Sequence, residues 1–248
     1  MNHPTRADWV TFPSGADEIR GYLALPEGVD RPPVVIMAHE NLGVTAHRRA
    51  VTERLAAEGF ACLTVDLFSR IGGEPPKDHT TPEERRAKAF LAARDEQAVP
   101  DCEAALDYLS GRGDVDVSRA GAIGFCLGGG LVLAWATRTD RLACVVPLYG
   151  LPELPPAYSP TGRVRSRIAA ADQVRCPVQA HFGGADTVIP LDQVTRLGDT
   201  LKLSGHHVEV HVHEGAGHAY HDDTHPHYHP QAAQTTWEHS VAFLRAHL

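Results

Sequence analysis

Short apolar runs alternate with helical stretches along most of this chain. Continuous apolar runs at residues 33–38 and 60–65 are typical of strands that are buried on both faces. Further strands are predicted at residues 120–125, 143–148, 178–182 and 208–212, and helices at 45–58, from 81 onward, and at 100–109, 131–136, 192–203 and 235–248. This alternation predicts an α/β fold, with a mostly parallel central sheet and helices on both faces.

Turn and cap signals complete the predicted outline. A hairpin is expected from strands at residues 9–12 and 18–25, and Thr81 is the expected N-cap of its helix, with Pro82 at the first position and Glu84 at the capping-box position. Residues 66–80 are predicted to form a loop. The proline-rich stretch 152–161 is interpreted as a loop or lid, because the β/α alternation resumes after it. We therefore expect one domain over residues 1–248.

The motif that carries the chemistry is Gly-Phe-Cys-Leu-Gly at residues 124–128, followed by two more glycines. It matches the G-x-S-x-G nucleophile turn with cysteine in place of serine, between a predicted strand and a predicted helix. Glycines give room for the tight turn, and the helix N-terminus favours a thiolate at Cys126. The Leu127 N–H is the expected first oxyanion donor. The alternative is an ordinary buried cysteine beside a glycine turn.

A thiol nucleophile needs a base, and this chain has 16 histidines. His218 stands out because it follows the last predicted strand, in Glu-Gly-Ala-Gly-His at residues 214–218. Asp186 follows the strand at 178–182 and is placed to orient the imidazole. The order Cys126, Asp186, His218 is that of α/β-hydrolases, which makes this fold the prediction. Taken singly, His218 is compatible with a surface histidine and Asp186 with a helix-capping loop residue.

The loop after the strand at 33–38 should supply the second oxyanion donor. We expect it to be the backbone N–H of Asn41. Glu40 precedes it, and a carboxylate near a nucleophile suggests a role in the chemistry. The alternative is a surface charge close to a helix.

Composition excludes several classes of function. A net charge of -8 argues against a general nucleic-acid or anionic-membrane binder. No signal peptide or membrane span is expected, and five scattered cysteines without CxxC spacing indicate reduced thiols and a cytoplasmic protein. The His-rich residues 225–229 lack an acid–His set with metal-ligand spacing. We expect no metal and no cofactor, and a monomer or homodimer.

Several of these segments together resemble the dienelactone hydrolase (carboxymethylenebutenolidase) family over nearly the whole chain. The specific part is the cysteine motif at 124–129 combined with His-Glu-Asn-Leu-Gly at 39–43. The segments that complete the resemblance are 65–68, 149–150, 183–186 and 214–218.

The resemblance implies a triad of Cys126, His218 and Asp186, and a Glu40 that contacts the nucleophile and takes part in generating its thiolate when substrate binds. It implies hydrolysis of a small ester or lactone through a thioester, without a cofactor. It also implies substrate-binding roles for Arg86 and Tyr149.

Two arginines hold the carboxylate of dienelactone in the family pattern. Arg86 is at the place of one, but the place of the other, four residues after His218, is taken by Asp222. Because a carboxylate facing a carboxylate is unfavourable, a neutral or differently shaped ester is the alternative substrate.

Two other functions are compatible with the fold. One is a catalytically silent hydrolase-fold protein that binds a ligand or partner, although such a protein has no need for a complete triad. The other is a redox protein that uses Cys126, although no resolving cysteine lies near it in sequence.

Overall fold

The computed structural model describes residues 2–78 and 80–248. Two residues lie outside the described ranges. They are Met1, in the N-terminal segment for which no signal peptide was expected, and His79, in the predicted loop 66–80. The strands of the described chain are β1 (Thr5–Ser14), β2 (Asp17–Pro26), β3 (Pro33–Ala38), β4 (Ala61–Val65), β5 (Asp116–Phe125), β6 (Cys144–Leu148), β7 (Glu153–Leu154), β8 (Arg165–Ser166), β9 (Val178–Gly183) and β10 (Val208–His213). The helices are α1 (Ala46–Ala57), α2 (Pro82–Ala92), α3 (Asp95–Ser110), α4 (Leu127–Ala136), α5 (Leu191–Lys202) and α6 (Pro230–His247).

Eight strands form one central sheet, in the order β1-β2-β4-β3-β5-β6-β9-β10. The pairs β1–β2 and β2–β4 are antiparallel, and the other pairs are parallel. Every residue of β4, β6 and β9 is buried, as expected for strands covered on both faces. The predicted α/β architecture with a mostly parallel sheet is confirmed. The parallel strands bring the ends of β3, β5, β6 and β9 to one edge of the sheet, where ligands of such folds bind.

The predicted starts of three helices, α3, α4 and α6, are wrong, and α6 begins at Pro230, five residues before its predicted start at 235. The start of α2 agrees with the prediction, but its capping box does not. Thr81 does cap α2 by accepting a hydrogen bond from the Glu84 N–H, but the Glu84 carboxylate accepts from Thr80 rather than from Thr81. Helix α3 begins at Asp95 and contains Pro100, which was expected at its start; the buried Ala98 and Val99 hold this first part of the helix against the core.

Helix α4 begins at Leu127, four residues before the predicted start. Its first turns contain three glycines, which have low helix propensity. Their conformation is imposed by close backbone packing around the nucleophile turn.

The segment 152–166 has more structure than the predicted loop. Its two short strands, β7 and β8, pair in antiparallel fashion, and a 3-10 turn covers Pro156–Tyr158. Arg165, in this segment, and Arg167, just after it, both bind Asp95 at the start of α3. The loop predicted at residues 152–161 is therefore wrong at Glu153–Leu154, which forms a short strand.

A cluster of imidazoles lies where β9, β10 and α6 meet. The His181 and His213 rings are stacked, with 3.1 Å between His181 Nδ1 and His213 Nε2. His211 and His239 complete the cluster, and the His181 and His211 rings are also stacked. Burial, aided by the neighbouring imidazoles, lowers the pKa of His213 to about 4 and holds the pKa of His181 well below the ordinary value.

This cluster predicts that acid destabilises the fold. In the unfolded chain these histidines take up protons near pH 6.5, whereas in the folded chain His213 does so only near pH 4. The unfolded state therefore binds more protons between these two values, and the free energy of unfolding falls as the pH falls through that window. We expect His213→Gln to have a flatter dependence of Tm on pH between about pH 7 and about pH 4.5. Equal slopes for the variant and the wild type would contradict this.

No helix within the described ranges combines the length and the apolar character that crossing a membrane requires.

Candidate active site

Cys126 occupies the turn between β5 and α4. Its φ of 52° and ψ of −108° lie in a region that a non-glycine residue rarely adopts. Backbone hydrogen bonds hold it there: the Cys126 N–H donates to the Leu148 carbonyl at 3.0 Å, and the Gly130 N–H donates to the Cys126 carbonyl at 3.1 Å. Such backbone strain is characteristic of functional turns that the surrounding structure over-determines.

The glycines of the motif are required by close backbone packing. A Cβ on Gly124 would lie 2.1 Å from the Gly128 carbonyl oxygen, and a Cβ on Gly128 would lie 2.1 Å from the Ala38 carbonyl oxygen. Both distances are far below van der Waals contact. The turn can therefore approach the end of β3 only because these two positions carry no side chain.

His218 and Asp186 extend from the nucleophile in a hydrogen-bonded line. His218 Nε2 lies 3.1 Å from Cys126 Sγ, and His218 Nδ1 lies 2.8 Å from Asp186 Oδ2. The other Asp186 oxygen accepts hydrogen bonds from the backbone N–H groups of Val188 and Ile189. Asp186 is thus fixed by its own loop and can orient the imidazole.

The electrostatics of His218 favour its charged form. Burial opposes the imidazolium, but the Cys126 sulfur and the Asp186 carboxylate outweigh burial and raise the pKa of His218 to about 10. The Tyr149 ring stands edge-on to the imidazole, with 5.4 Å between ring centroids. The His218 side chain keeps 14% of its surface exposed, whereas the Asp186 side chain is buried.

Glu40 lies two residues after the end of β3 and is paired with Arg48, in the first turn of α1. Arg48 Nη2 is 2.5 Å from Glu40 Oε2, and the Arg48 side chain is fully buried. Arg48 was not singled out from the sequence. A signal was present, because Arg48 precedes Val51 and Leu55 at the spacing of the buried face of α1.

The two residues predicted to supply the oxyanion donors lie directly after the nucleophile and shortly after β3. Leu127 is the first residue of α4, where backbone N–H groups have no partner inside the helix. Asn41 is partly buried in the turn that follows Glu40. Within the described ranges, neither N–H donates a hydrogen bond to the protein.

Comparison with known proteins identifies the family. The model of the dienelactone hydrolase family matches residues 19–248 of the chain. The chain belongs to the dienelactone hydrolase family. As a member, it is a hydrolase that acts on carboxylic ester bonds, and the predicted family is confirmed.

Individual relatives match this chain over nearly their whole length. A Bradyrhizobium protein named "probable 2-oxo-3-(5-oxofuran-2-ylidene)propanoate lactonase" is 30% identical, with 97% of this chain and 94% of that protein covered. A Yersinia pestis protein named "putative carboxymethylenebutenolidase" is 28% identical and covers 100% of this chain and 91% of its own. The crystal structure of a Klebsiella pneumoniae protein titled "putative dienelactone hydrolase" has a TM-score of 0.88 and 26% identity, covering 98% of this chain and 99% of that one.

Arg86 and Asp222 occupy the two positions at which the pattern of the dienelactone hydrolase family has arginines. The Arg86 Nε donates to the Tyr158 hydroxyl at 3.3 Å, which links α2 to the segment 152–166. Asp222 is buried, and its Oδ1 accepts hydrogen bonds from the Thr224 N–H and hydroxyl. Burial opposes ionisation of Asp222, but these hydrogen bonds outweigh it and lower its pKa. Asp222 is therefore held by its own loop as a carboxylate.

One group of side chains in the described chain brings three possible metal-ligating atoms within 4.8 Å of one another: His47, Asp222 and Asp223. The contacts within the group explain its geometry without an ion. His47 Nδ1 is 2.7 Å from Asp223 and 3.6 Å from Asp222, so the imidazole bridges the two acids.

The His-rich segment 225–229 packs against the loop that carries His218. The His225 and His227 rings are 5.0 Å apart, and a Cβ on Gly217 would lie 3.6 Å from His227. His229 caps α6 by accepting from the Ala232 N–H. Burial lowers the pKa of His225. These histidines are thus engaged in the fold around the base.

Proposed function

We propose that this family member hydrolyses a small ester or lactone with Cys126 as the nucleophile, through a thioester on its sulfur. The observation that carries the proposal is the unbroken line from Cys126 Sγ through His218 to Asp186, with contacts of 3.1 Å and 2.8 Å. A thiol, a base and an orienting acid in this geometry form the standard arrangement for acyl transfer through a covalent intermediate.

The first half-reaction forms the thioester. Cys126 gives its proton to His218 Nε2, and the thiolate attacks the carbonyl carbon of the substrate. The oxyanion that develops accepts hydrogen bonds from the N–H groups of Leu127 and Asn41. Collapse of the tetrahedral intermediate breaks the ester bond, and the imidazolium returns its proton to the leaving alkoxide.

The second half-reaction releases the acid. Water gives a proton to His218 and attacks the thioester carbon, and the sulfur leaves as thiolate or takes the proton back. Asp186 stabilises the imidazolium in both halves. In a lactone the alkoxide and the acid belong to one molecule, so a single product leaves.

Several further residues complete the proposed site. Glu40 takes part in generating the thiolate when substrate binds, and Tyr149 packs edge-on to the base and borders the bound acyl group. Arg86, on α2, is the proposed cation for a polar end of the substrate. Because Asp222 is a buried carboxylate, the site favours esters that carry no negative charge on that side.

A cytoplasmic location is proposed on the state of the thiols. All five cysteines are free and buried. Unpaired thiols persist in compartments that keep thiols reduced.

The direct test is capture of the covalent intermediate. Brief exposure to p-nitrophenyl acetate, followed by acid quenching and peptide mass spectrometry, should find one acetyl group on the peptide that contains Cys126. Cys176 provides the matched control, because burial raises its pKa to about 12 and leaves it unreactive. An acetyl group on another residue, or turnover with no acyl-enzyme at any quench time, would remove Cys126 from the proposed mechanism. Binding of esters without turnover would favour the silent, ligand-binding alternative.

A further inference from the structure

Arg48 is an arginine in an apolar environment. It lies on the buried face of α1, and none of its side-chain surface is exposed. Its guanidinium carbon is 3.5 Å from the centroid of the Phe125 ring, and Phe125 directly precedes the nucleophile. Arginine is almost never fully buried unless it is paired, and the pairing partner here is the Glu40 carboxylate at 2.5 Å.

The Arg48–Glu40 pair is incomplete. Glu40 Oε1 and the Arg48 atoms Nε and Nη1 are buried and have no hydrogen-bond partner within the described ranges. Each such atom has a desolvation cost, and a buried ion pair is often no more stabilising than apolar side chains of similar volume. Stability alone therefore gives little reason for an arginine here, and the orphaned carboxylate oxygen points to a function.

The pair lies close to the nucleophile turn. The Arg48 guanidinium lies over the Phe125 ring, the Phe125 and Tyr149 ring centroids are 6.3 Å apart, and those of Tyr149 and His218 are 5.4 Å apart. The pKa values of several titratable side chains respond to the charge of Arg48 or Glu40: His39, Cys62, Tyr149, His221, Asp222 and His225.

We infer that Arg48 is a positioning residue that keeps Glu40 ionised and oriented close to the nucleophile turn, and thereby sets the pH range in which the thiolate forms. The guanidinium occupies Glu40 Oε2 and leaves Oε1 free to accept a hydrogen bond or a proton. Because the positive charge of Arg48 offsets the negative charge of Glu40, the pair as a whole has little electrostatic effect on the Cys126 sulfur. The inference rests on the proposed role of Cys126 as nucleophile.

The inference predicts opposite effects from removing either charge. Arg48→Met leaves a carboxylate without its counter-charge near the sulfur, which disfavours the thiolate and favours protonation of Glu40. Glu40→Gln leaves the cation unpaired and favours the thiolate. In the double variant both charges are absent, and the two effects cancel.

The experiment measures the rate of Cys126 alkylation by iodoacetamide as a function of pH, in the full chain without substrate. Arg48→Met should raise the midpoint of the profile by about 1 pH unit or more, and Glu40→Gln should lower it by a similar amount. The double variant should return close to the wild type, and Arg48→Lys, which keeps the cation, should restore most of the wild-type midpoint.

Arg167→Met is the matched control. Arg167 is also buried and binds a buried acid, Asp95, at 2.8 Å. Arg167→Met should lower Tm as much as Arg48→Met does, but it should not move the midpoint of the alkylation profile. If Arg48 is merely structural, Arg48→Met will behave like Arg167→Met, and that result would overturn the inference.

The remaining outcomes can also be separated. If Arg48→Met does not fold, Glu40→Gln and Arg48→Lys still test the charge balance, and an unmoved midpoint in Glu40→Gln contradicts the inference. Alkylation requires no ester, so the midpoint shifts can be measured whether or not the protein hydrolyses esters. A wild-type protein that hydrolyses no ester would therefore refute the proposed function without deciding the role of Arg48.

Discussion

Replacement of Cys126 by alanine should reduce hydrolysis of p-nitrophenyl acetate by at least about 10⁴-fold, because the covalent route disappears with the sulfur. What remains should come from binding and from the oxyanion donors. The fold should persist, since alanine keeps the Cβ and meets the same backbone constraint at φ 52°. The measurement is kcat/KM of the purified variant, with Tm recorded to confirm folding.

Cys176→Ala serves as the control for Cys126→Ala. It removes a thiol that is also buried but lies two residues before β9, away from the line of hydrogen bonds. Its kcat/KM should stay close to that of the wild type. Equal rates for Cys126→Ala and the wild type would exclude the proposed nucleophile.

The second large effect is expected from Asp186→Asn, which should lower kcat by about 10⁴-fold while preserving the fold. The asparagine oxygen can still accept from the Val188 and Ile189 N–H groups, as Asp186 Oδ1 does. Its amide, however, donates to His218 Nδ1 and places the ring proton on Nε2. The imidazole then cannot accept the proton of Cys126.

Asp192→Asn is the matched control for this substitution. Asp192 is in the first turn of α5, and its side chain is largely exposed. The same change of charge there should leave kcat unaltered. A near-normal kcat in Asp186→Asn would mean that His218 is oriented by another group.

The sheet was predictable because its buried strands are short, continuous apolar runs, which are typical of few other structures. Runs such as Pro33–Ala38 are apolar throughout, and the observed bounds of β3 agree with the prediction. The starts of α3 and α4 were not predictable by the same means. Pro100 inside α3 and glycine at three of the first four residues of α4 both oppose helix formation locally, and packing against the core overrides that preference.

The candidate site was likewise predictable only in part. Cys126, Asp186 and His218 were chosen from motif and chain order, and the structure brings the three together. Arg48 could not be assigned from the sequence, because its significance depends on Glu40, eight residues away, and on the Phe125 ring, which is distant in sequence. The imidazole cluster was also missed, since His181 and His239 meet only through the tertiary fold.

The backbone contacts of the nucleophile turn also limit how this protein can be changed by directed evolution. Gly124 and Gly128 tolerate no side chain, and Cys126 is fixed by its neighbours, so random mutagenesis there should yield mostly inactive clones. New selectivity must instead come from positions outside the turn, such as the partly buried Asn41 and Leu42 after Glu40. A combinatorial library confined to such positions would vary the surroundings of the nucleophile while the reactive core stayed constant.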